Sequence, residues 1–359
     1  MALEQSAVLD ALKVVRDPDL NRDIVSLGFI KNLSIDGGRV AFTIELTTPA
    51  CPVKDQMRDQ ARAAVLQLPG VSSVDVQMSA MVREAVGAEG GRQPIPGVKN
   101  VIAVGAGKGG VGKTTVAVNL ALALAKCGGK VGMIDGDIYG PNVPIMLGMK
   151  AELITDGQKI VPAEKYGLQV ISMGFLTKDD APIIWRGPML HGALQQFFRD
   201  ARWKDLDYLI VDMPPGTGDV ALSLSQTVPV AGSIVVTTPQ QVSLADTRRA
   251  VAMYKKLNIP PIGLIENMSY FSCPNCQHEA DIFGHGGGER LAEELGVPFL
   301  GRLPIYQPIR EGSDSGVPLV ISEPDSPAAR AFIAAAERTA AQVSIASYSR
   351  STIPLTVVR

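Results

Sequence analysis

NVIAVGAGKGGVGKTT, residues 100–115, is an apolar, β-branched run that enters a glycine-rich turn and leaves it on Lys113, Thr114 and Thr115. The run reads as a strand, and the following VAVNLALALAKCGG reads as a helix with an alanine-rich face ending at Gly128. Between them, Gly107-x4-Gly112-Lys113-Thr114 completes a phosphate-loop pattern in the strand–turn–helix context that the pattern requires. The chemistry follows from residue type. Without Cβ atoms, Gly107, Gly109, Gly110 and Gly112 let successive backbone N–H groups, with that of Val111, face a phosphate. The helix N-terminus adds a field that favours an anion. Lys113 is placed to meet the β- and γ-phosphates of ATP, and Thr114 to offer its hydroxyl to Mg²⁺. Lys108 is a second lysine inside the loop. It is either a solvated loop residue or one that reaches a nucleotide held by another subunit, as an arginine finger does.

Outward from this loop, KVGMID, LQVISM, DYLIVDMP, SIVVTTP, PIGLIENM and VPFLGRLP are further short apolar strands with helical segments between them. That alternation predicts an α/β fold: a mostly parallel sheet with helices on both faces. Asp135 and Asp137 follow one strand and Asp212 ends another, so all three belong at the carboxyl edge where ligands bind. Asp212 has the setting of a Walker B carboxylate that orders a Mg²⁺ shell, and a Gly216 N–H is within reach of a γ-phosphate. Before residue 83 the pattern differs. A helix over 4–15, a strand over 40–46, a helix over 53–68 and a strand over 70–78 make a small α+β unit. The expected boundaries are 1–82 for that domain, 83–99 for a Gly/Pro-rich linker, 100–343 for the ATPase domain and 344–359 for a tail.

Length and composition agree with this. The 359 residues exceed one modest core, and 46% apolar with 19% charged is an ordinary globular mix. A net charge of −2 with no basic run gives no footprint for nucleic acid, and no run of apolar residues is long enough for a membrane span. The N-terminus lacks a signal-peptide pattern, so a cytoplasmic protein is expected. Four cysteines in such a chain do not form a disulfide framework, which favours metal or redox chemistry for Cys273-x-x-Cys276.

Several longer stretches carry a family resemblance. GKGGVGKTT resembles the deviant phosphate loop of the MinD/ParA/nitrogenase-iron-protein group. DGDIYGPNVP, IIWRGPM, DYLIVDMPPGTGD, TTPQQVSLAD, IENMSYFSCPNC and FGHGGGERLAEELGVPFLGRLP resemble its Mrp/ApbC/Nbp35 branch, the iron–sulfur cluster carrier ATPases. VVRDPDLNRDIVSLGFIKNL and ELTTPACPVKDQM resemble the MIP18-like domain fused ahead of such ATPases. One departure is Asn142, where serine is expected after YGP. The resemblance implies ATP hydrolysis coupled to cluster transfer, with apo iron–sulfur proteins and cluster-assembly factors as partners and neither nucleic acid nor membrane. It implies that Lys108 acts across a homodimer, that Asp137 positions the attacking water, and that Asn267, with Pro304 nearby, reads the adenine.

The dimer bears on the cysteines. Near a twofold axis each residue appears twice, so Cys273 and Cys276 from two chains supply four thiolates. Four thiolates suit a [4Fe–4S] cluster or Zn²⁺, and the resemblance favours the cluster. The alternatives for the cysteines are a one-chain zinc site with His278 and His285, a redox pair or two idle cysteines, and the alternative for the whole protein is a MinD/ParA-like spatial-regulator ATPase with a structural zinc CxxC. A scaffold with little ATPase activity is a further reading. Cys51, between prolines at a strand-to-helix turn, is expected to be accessible and to serve as an accessory thiol. Cys127 is expected to pack as a small apolar residue, His191 to be structural, and Trp185-Arg186 to form a dimer or switch contact.

Overall fold

The structure is a computed structural model that describes residues 3–84, 92–137, 140–150, 152–157, 159–175, 187–216, 218–273, 275–276 and 278–351. The chain divides into two compact units, Met1–Arg83 and Glu84–Arg359.

The first unit contains α1 (Gln5–Leu12), β1 (Ile30–Asp36), β2 (Arg39–Leu46), α2 (Lys54–Leu66) and β3 (Ser73–Ala80). β2 is the central strand, antiparallel to β1 and parallel to β3. Its side chains alternate, with Val40, Phe42, Ile44 and Leu46 buried and the residues between them more exposed. Met57, Ala61 and Val65 form the buried stripe of α2. The pattern reading did not anticipate β1, because IKNLSID breaks register at Asn32, a non-glycine residue with φ of 52°.

In the second unit the strands are β4 (Val98–Ala106), β5 (Val131–Asp135), β6 (Ala163–Lys165), β7 (Leu168–Ser172), β8 (Leu206–Asp212), β9 (Gly232–Thr237) and β10 (Pro261–Glu266). A short hairpin of β11 (Phe271–Ser272) and β12 (Glu279–Ala280) follows, and β13 (Phe299–Arg302) completes the main sheet. The main sheet runs β6-β7-β5-β8-β4-β9-β10-β13, and only the β6 edge strand is antiparallel to its neighbour. The phosphate-loop strand β4 is central, and residues Val101 to Val104 show why no alternation is visible in the sequence. Val101 and Ala103 join a core with Leu244, Val251 and Tyr254 of α4 (Gln241–Lys256). Ile102 and Val104 are also fully buried and point to the opposite face, where α3 (Lys113–Lys126) packs on β4, β5 and β8. Helices therefore cover both faces.

Two expected boundaries change. The linker assigned to 83–99 ends early, since β4 begins at Val98 and Ile95 already lies in the main core. The tail assigned to 344–359 is helix as far as Ser351. It belongs to α6 (Pro327–Ser351), which follows α5 (Gly287–Leu295). Val343, Ser344 and Ser347 are buried there, because small residues let the helix continue against the body of the unit. Residues 352–359, Trp185 and Arg186 lie outside the described residues.

Candidate functional site

Two glycines show how closely the phosphate loop is enclosed. Gly112 caps α3 with φ of 78°, and a Cβ there would lie 2.3 Å from Asn267 Nδ2. A Cβ on Gly107 would lie 2.3 Å from the Asp246 carbonyl carbon. Asn267 in turn donates from Nδ2 to the Val111 carbonyl at 2.8 Å, which ties the end of β10 to the loop.

At the start of α3, Lys113 is 7% exposed and its Nζ lies 2.5 Å from Asp212 Oδ1. Thr114 Oγ1 donates to Asp212 Oδ2 at 2.8 Å and accepts from Lys113 Nζ at 3.1 Å. Asp212 ends β8 beside Asp135 at the end of β5, the two being register partners. Burial pushes the Asp212 carboxyl up, while Lys113 and Thr114 pull it down. Asp135 is fully buried. Its Oδ2 accepts from Ser172 Oγ at 3.0 Å and from the Val143 N–H at 3.2 Å, and its Oδ1 accepts from the Asp137 N–H at 3.2 Å. Burial, with the adjacent Asp212 second, raises Asp135 to about 7. Sequence reading placed Asp135 at the sheet edge but gave it no task. Its bonds show that it anchors the start of the chain after β5.

This shift has a stability consequence. Between about pH 4 and 7 the folded protein keeps a proton on Asp135 that the unfolded chain releases, so stability falls as pH rises through that window. Asp135→Asn cannot ionise. Relative to the wild type, its stability in urea denaturation should therefore improve by about 2–3 kcal/mol between pH 5 and 8. A pH-independent difference would mean that Asp135 does not titrate in this window.

A cavity of about 490 Å³ opens beside the loop, lined among others by Gly112, Thr115, Asn267, Met268, Phe283 and Pro304. That volume is in the range of small-ligand sites. The cavity thus gathers Gly112, Thr115, Asn267 and Pro304, all named from sequence, and adds Met268 and Phe283, to which the sequence reading assigned no role. Asp137 is half-buried, and Lys108 is half-buried with its ammonium in no ion pair with a described residue. The Gly216 N–H donates to the Ala106 carbonyl at 3.4 Å, a long bond.

Cys273 and Cys276 sit at the end of the β11–β12 hairpin, where the Cys273 N–H donates to the His278 carbonyl at 3.0 Å. Cys276 is exposed and Cys273 half-buried. The Cys273 thiol is held below its ordinary range by the N–H groups of Cys276 and Asn275, and by the Cys276 side chain. These hydrogen bonds favour the thiolate form of Cys273 beside the Cys276 sulfur. The one-chain zinc site does not assemble. His285 faces Arg302 at 3.2 Å and Asp281 at 3.5 Å, and no group of three or more His, Cys, Asp or Glu residues suited to a metal occurs among the described residues. Cys51 corrects another expectation. It is 6% exposed, because the turn from Thr48 to Cys51 folds into the core of the first unit. Cys127 is half-buried at the C-terminus of α3. No helix among the described residues is long and apolar enough to cross a membrane.

Comparison with known proteins places this geometry. Residues 97–340 match the family described as NUBPL iron-transfer P-loop NTPase, and residues 5–77 match the family described as iron-sulfur cluster assembly protein. The iron-sulfur cluster carrier protein of Synechocystis sp. is 47% identical over 351 residues, covering 96% of this chain and 99% of the relative. That of Deinococcus radiodurans is 48% identical over 346 residues, covering 96% of this chain and 97% of the relative. Among solved structures, the nucleotide-binding protein from Archaeoglobus fulgidus in complex with ADP is 33% identical, with a TM-score of 0.58 over 67% of this chain and 93% of its own. The cell division ATPase MinD of Pyrococcus furiosus is 26% identical, with a TM-score of 0.51 over 67% of this chain and 97% of its own. The spatial-regulator alternative is not favoured, since the full-length likeness is to carriers. The chain belongs to the iron–sulfur cluster carrier family of P-loop NTPases.

Proposed function

We propose that this protein hydrolyses ATP as a homodimer and uses the cycle to hold and release an iron–sulfur cluster, its cargo, between two copies of the Cys273/Cys276 pair. The observation that supports this most directly is the hairpin end. It presents two sulfurs in contact, one favoured as thiolate, with no third ligand from the described residues. A [4Fe–4S] cluster needs four thiolates, and a twofold dimer supplies them.

The phosphate loop supplies the ATP half. Lys113 leaves Asp212 for the β- and γ-phosphates, and the Asn267 side of the cavity takes the adenine beside Pro304. The Thr114 hydroxyl and the Asp212 carboxylate are hard oxygen donors in contact at the loop, a set that suits Mg²⁺. Held by these two oxygens, Mg²⁺ would supply charge neutralisation at the phosphates. Asp137 orients the attacking water, Lys108 brings positive charge to the partner's nucleotide, and the Gly216 N–H turns from Ala106 toward the γ-phosphate. The first unit, residues 1–82 with the segment after it, brings recipient apoproteins or assembly factors. Because Cys51 is buried, it does so without a thiol of its own.

The test is anaerobic reconstitution followed by iron, sulfide and native mass analysis. About four iron and four sulfide per two chains are expected. One zinc per two chains, or a cluster held by a single chain, would overturn the shared-cluster reading.

A further inference from the structure

The hairpin that carries the cysteines is fastened to the nucleotide cavity at both of its roots. Its N-terminal root is Met268-Ser269, directly after the adenine-side Asn267. Met268 lines the cavity and holds a φ of 54°, a left-handed backbone that costs energy in a non-glycine residue unless its surroundings enforce it. Its C-terminal root runs through Phe283, which lines the same cavity, to Gly288 in the first turn of α5.

One buried carboxylate joins the two roots. Glu266, 0% exposed at the end of β10, accepts from Ser269 Oγ at 2.6 Å and from the Gly288 N–H. Arg302 of β13 braces the same segment through His285. The outgoing arm is also paired to the chain after β13, where the Ser272 N–H donates to the Ile305 carbonyl at 3.0 Å and the Ile305 N–H to the Tyr270 carbonyl at 2.6 Å, so the return arm is the less constrained of the two. On that return arm the side chain of Phe283 is 37% exposed although large and apolar, at the wall of the cavity that Asn267 and Pro304 also line.

We propose that Phe283 is a positioning residue that couples the nucleotide base to the cysteine pair within one subunit. A base entering the cavity covers the exposed ring of Phe283, and burial of apolar and aromatic surface favours that contact. Because Glu266 clamps both ends of the segment, the contact fixes the return arm of the hairpin and with it the arrangement of Cys273 and Cys276. The coupling runs through the base and not through the phosphates, and it needs no change in the dimer. It rests on the reading of Cys273/Cys276 as the cargo site and of the cavity as the base site.

The test measures alkylation of Cys273 and Cys276 by iodoacetamide in the metal-free full-length protein, with the modified peptide quantified by mass spectrometry. Saturating ADP, which fills phosphate loop and base cavity, should slow alkylation roughly threefold or more. Saturating pyrophosphate, which fills the loop alone, should leave the rate unchanged. In Phe283→Ala the ADP effect should disappear, and Phe283→Tyr should restore it. The exposed ring makes the alanine variant safe for folding. Coupling through Phe283 is overturned if ADP leaves wild-type thiols unaffected, if pyrophosphate reproduces the ADP effect, or if Phe283→Ala keeps it. None of these outcomes changes the iron-to-chain ratio from reconstitution, so failure of the coupling and failure of the cargo site are separately visible.

Discussion

Lys113→Ala is expected to lower steady-state ATP hydrolysis by at least about a hundredfold, the usual scale for removing one preorganised charge from a developing transition state. Equal rates for variant and wild type would mean that the protein is a scaffold without catalysis at this loop. The same substitution should also weaken the fold. Lys113 Nζ lies 2.5 Å from an Asp212 carboxylate that is 0% exposed, and Asp135 stands on the adjacent strand. Removing one partner of a buried pair typically costs about 3–5 kcal/mol, because the other charge loses its compensation. Asp212 can escape part of this cost by taking a proton, since burial already raises its pKa. The deficit in urea denaturation should therefore be larger at pH 8 than at pH 6. Adding Asp212→Asn should return most of the stability and none of the turnover. A deficit that does not vary with pH would show that Asp212 stays ionised without its lysine.

Cys273→Ala is expected to abolish cluster binding in anaerobic reconstitution, with iron and sulfide falling to background. Two chains would then offer only two Cys276 thiolates, about half of what a [4Fe–4S] cluster requires. The loss is not expected to come from unfolding. Cys273 is half-buried near the end of a short hairpin, and such substitutions usually change stability by about 1 kcal/mol or less. Thermal melting of the variant checks this. A variant that keeps its full iron and sulfide would place the cargo elsewhere in the chain.

How much of this was legible beforehand depends on the range of the interaction involved. The phosphate loop is local: glycines, lysine and threonine adjacent in sequence do their work within a few residues, so pattern alone located it. The strands of the main sheet were equally plain, because a parallel sheet buried on both faces demands unbroken apolar runs such as YLIV at 208–211. The antiparallel β6 edge and β1 were not legible, the first for its brevity and the second for its break at Asn32.

Site residues divide in the same way. Asp135, Asp137 and Asp212 were identified by their position after strands, yet only packing separates them. Asp135 is sealed in with three donors, Asp212 is paired with Lys113, and Asp137 is half-buried. Cys51 looked accessible between its prolines, but a turn's exposure depends on what folds over it, and that is not written locally. Phe283 had no role in the sequence reading because the cavity it lines is built from segments over 150 residues apart, from Gly112 to Asp314. Sequence by itself determined the fold class, the phosphate loop and the cysteine pair, since each rests on neighbouring residues or on a strand's own periodicity. Tertiary structure decided which carboxylate is buried, which thiol is reachable and which ring meets the base, because desolvation and contact are set by residues that the chain brings together only when folded.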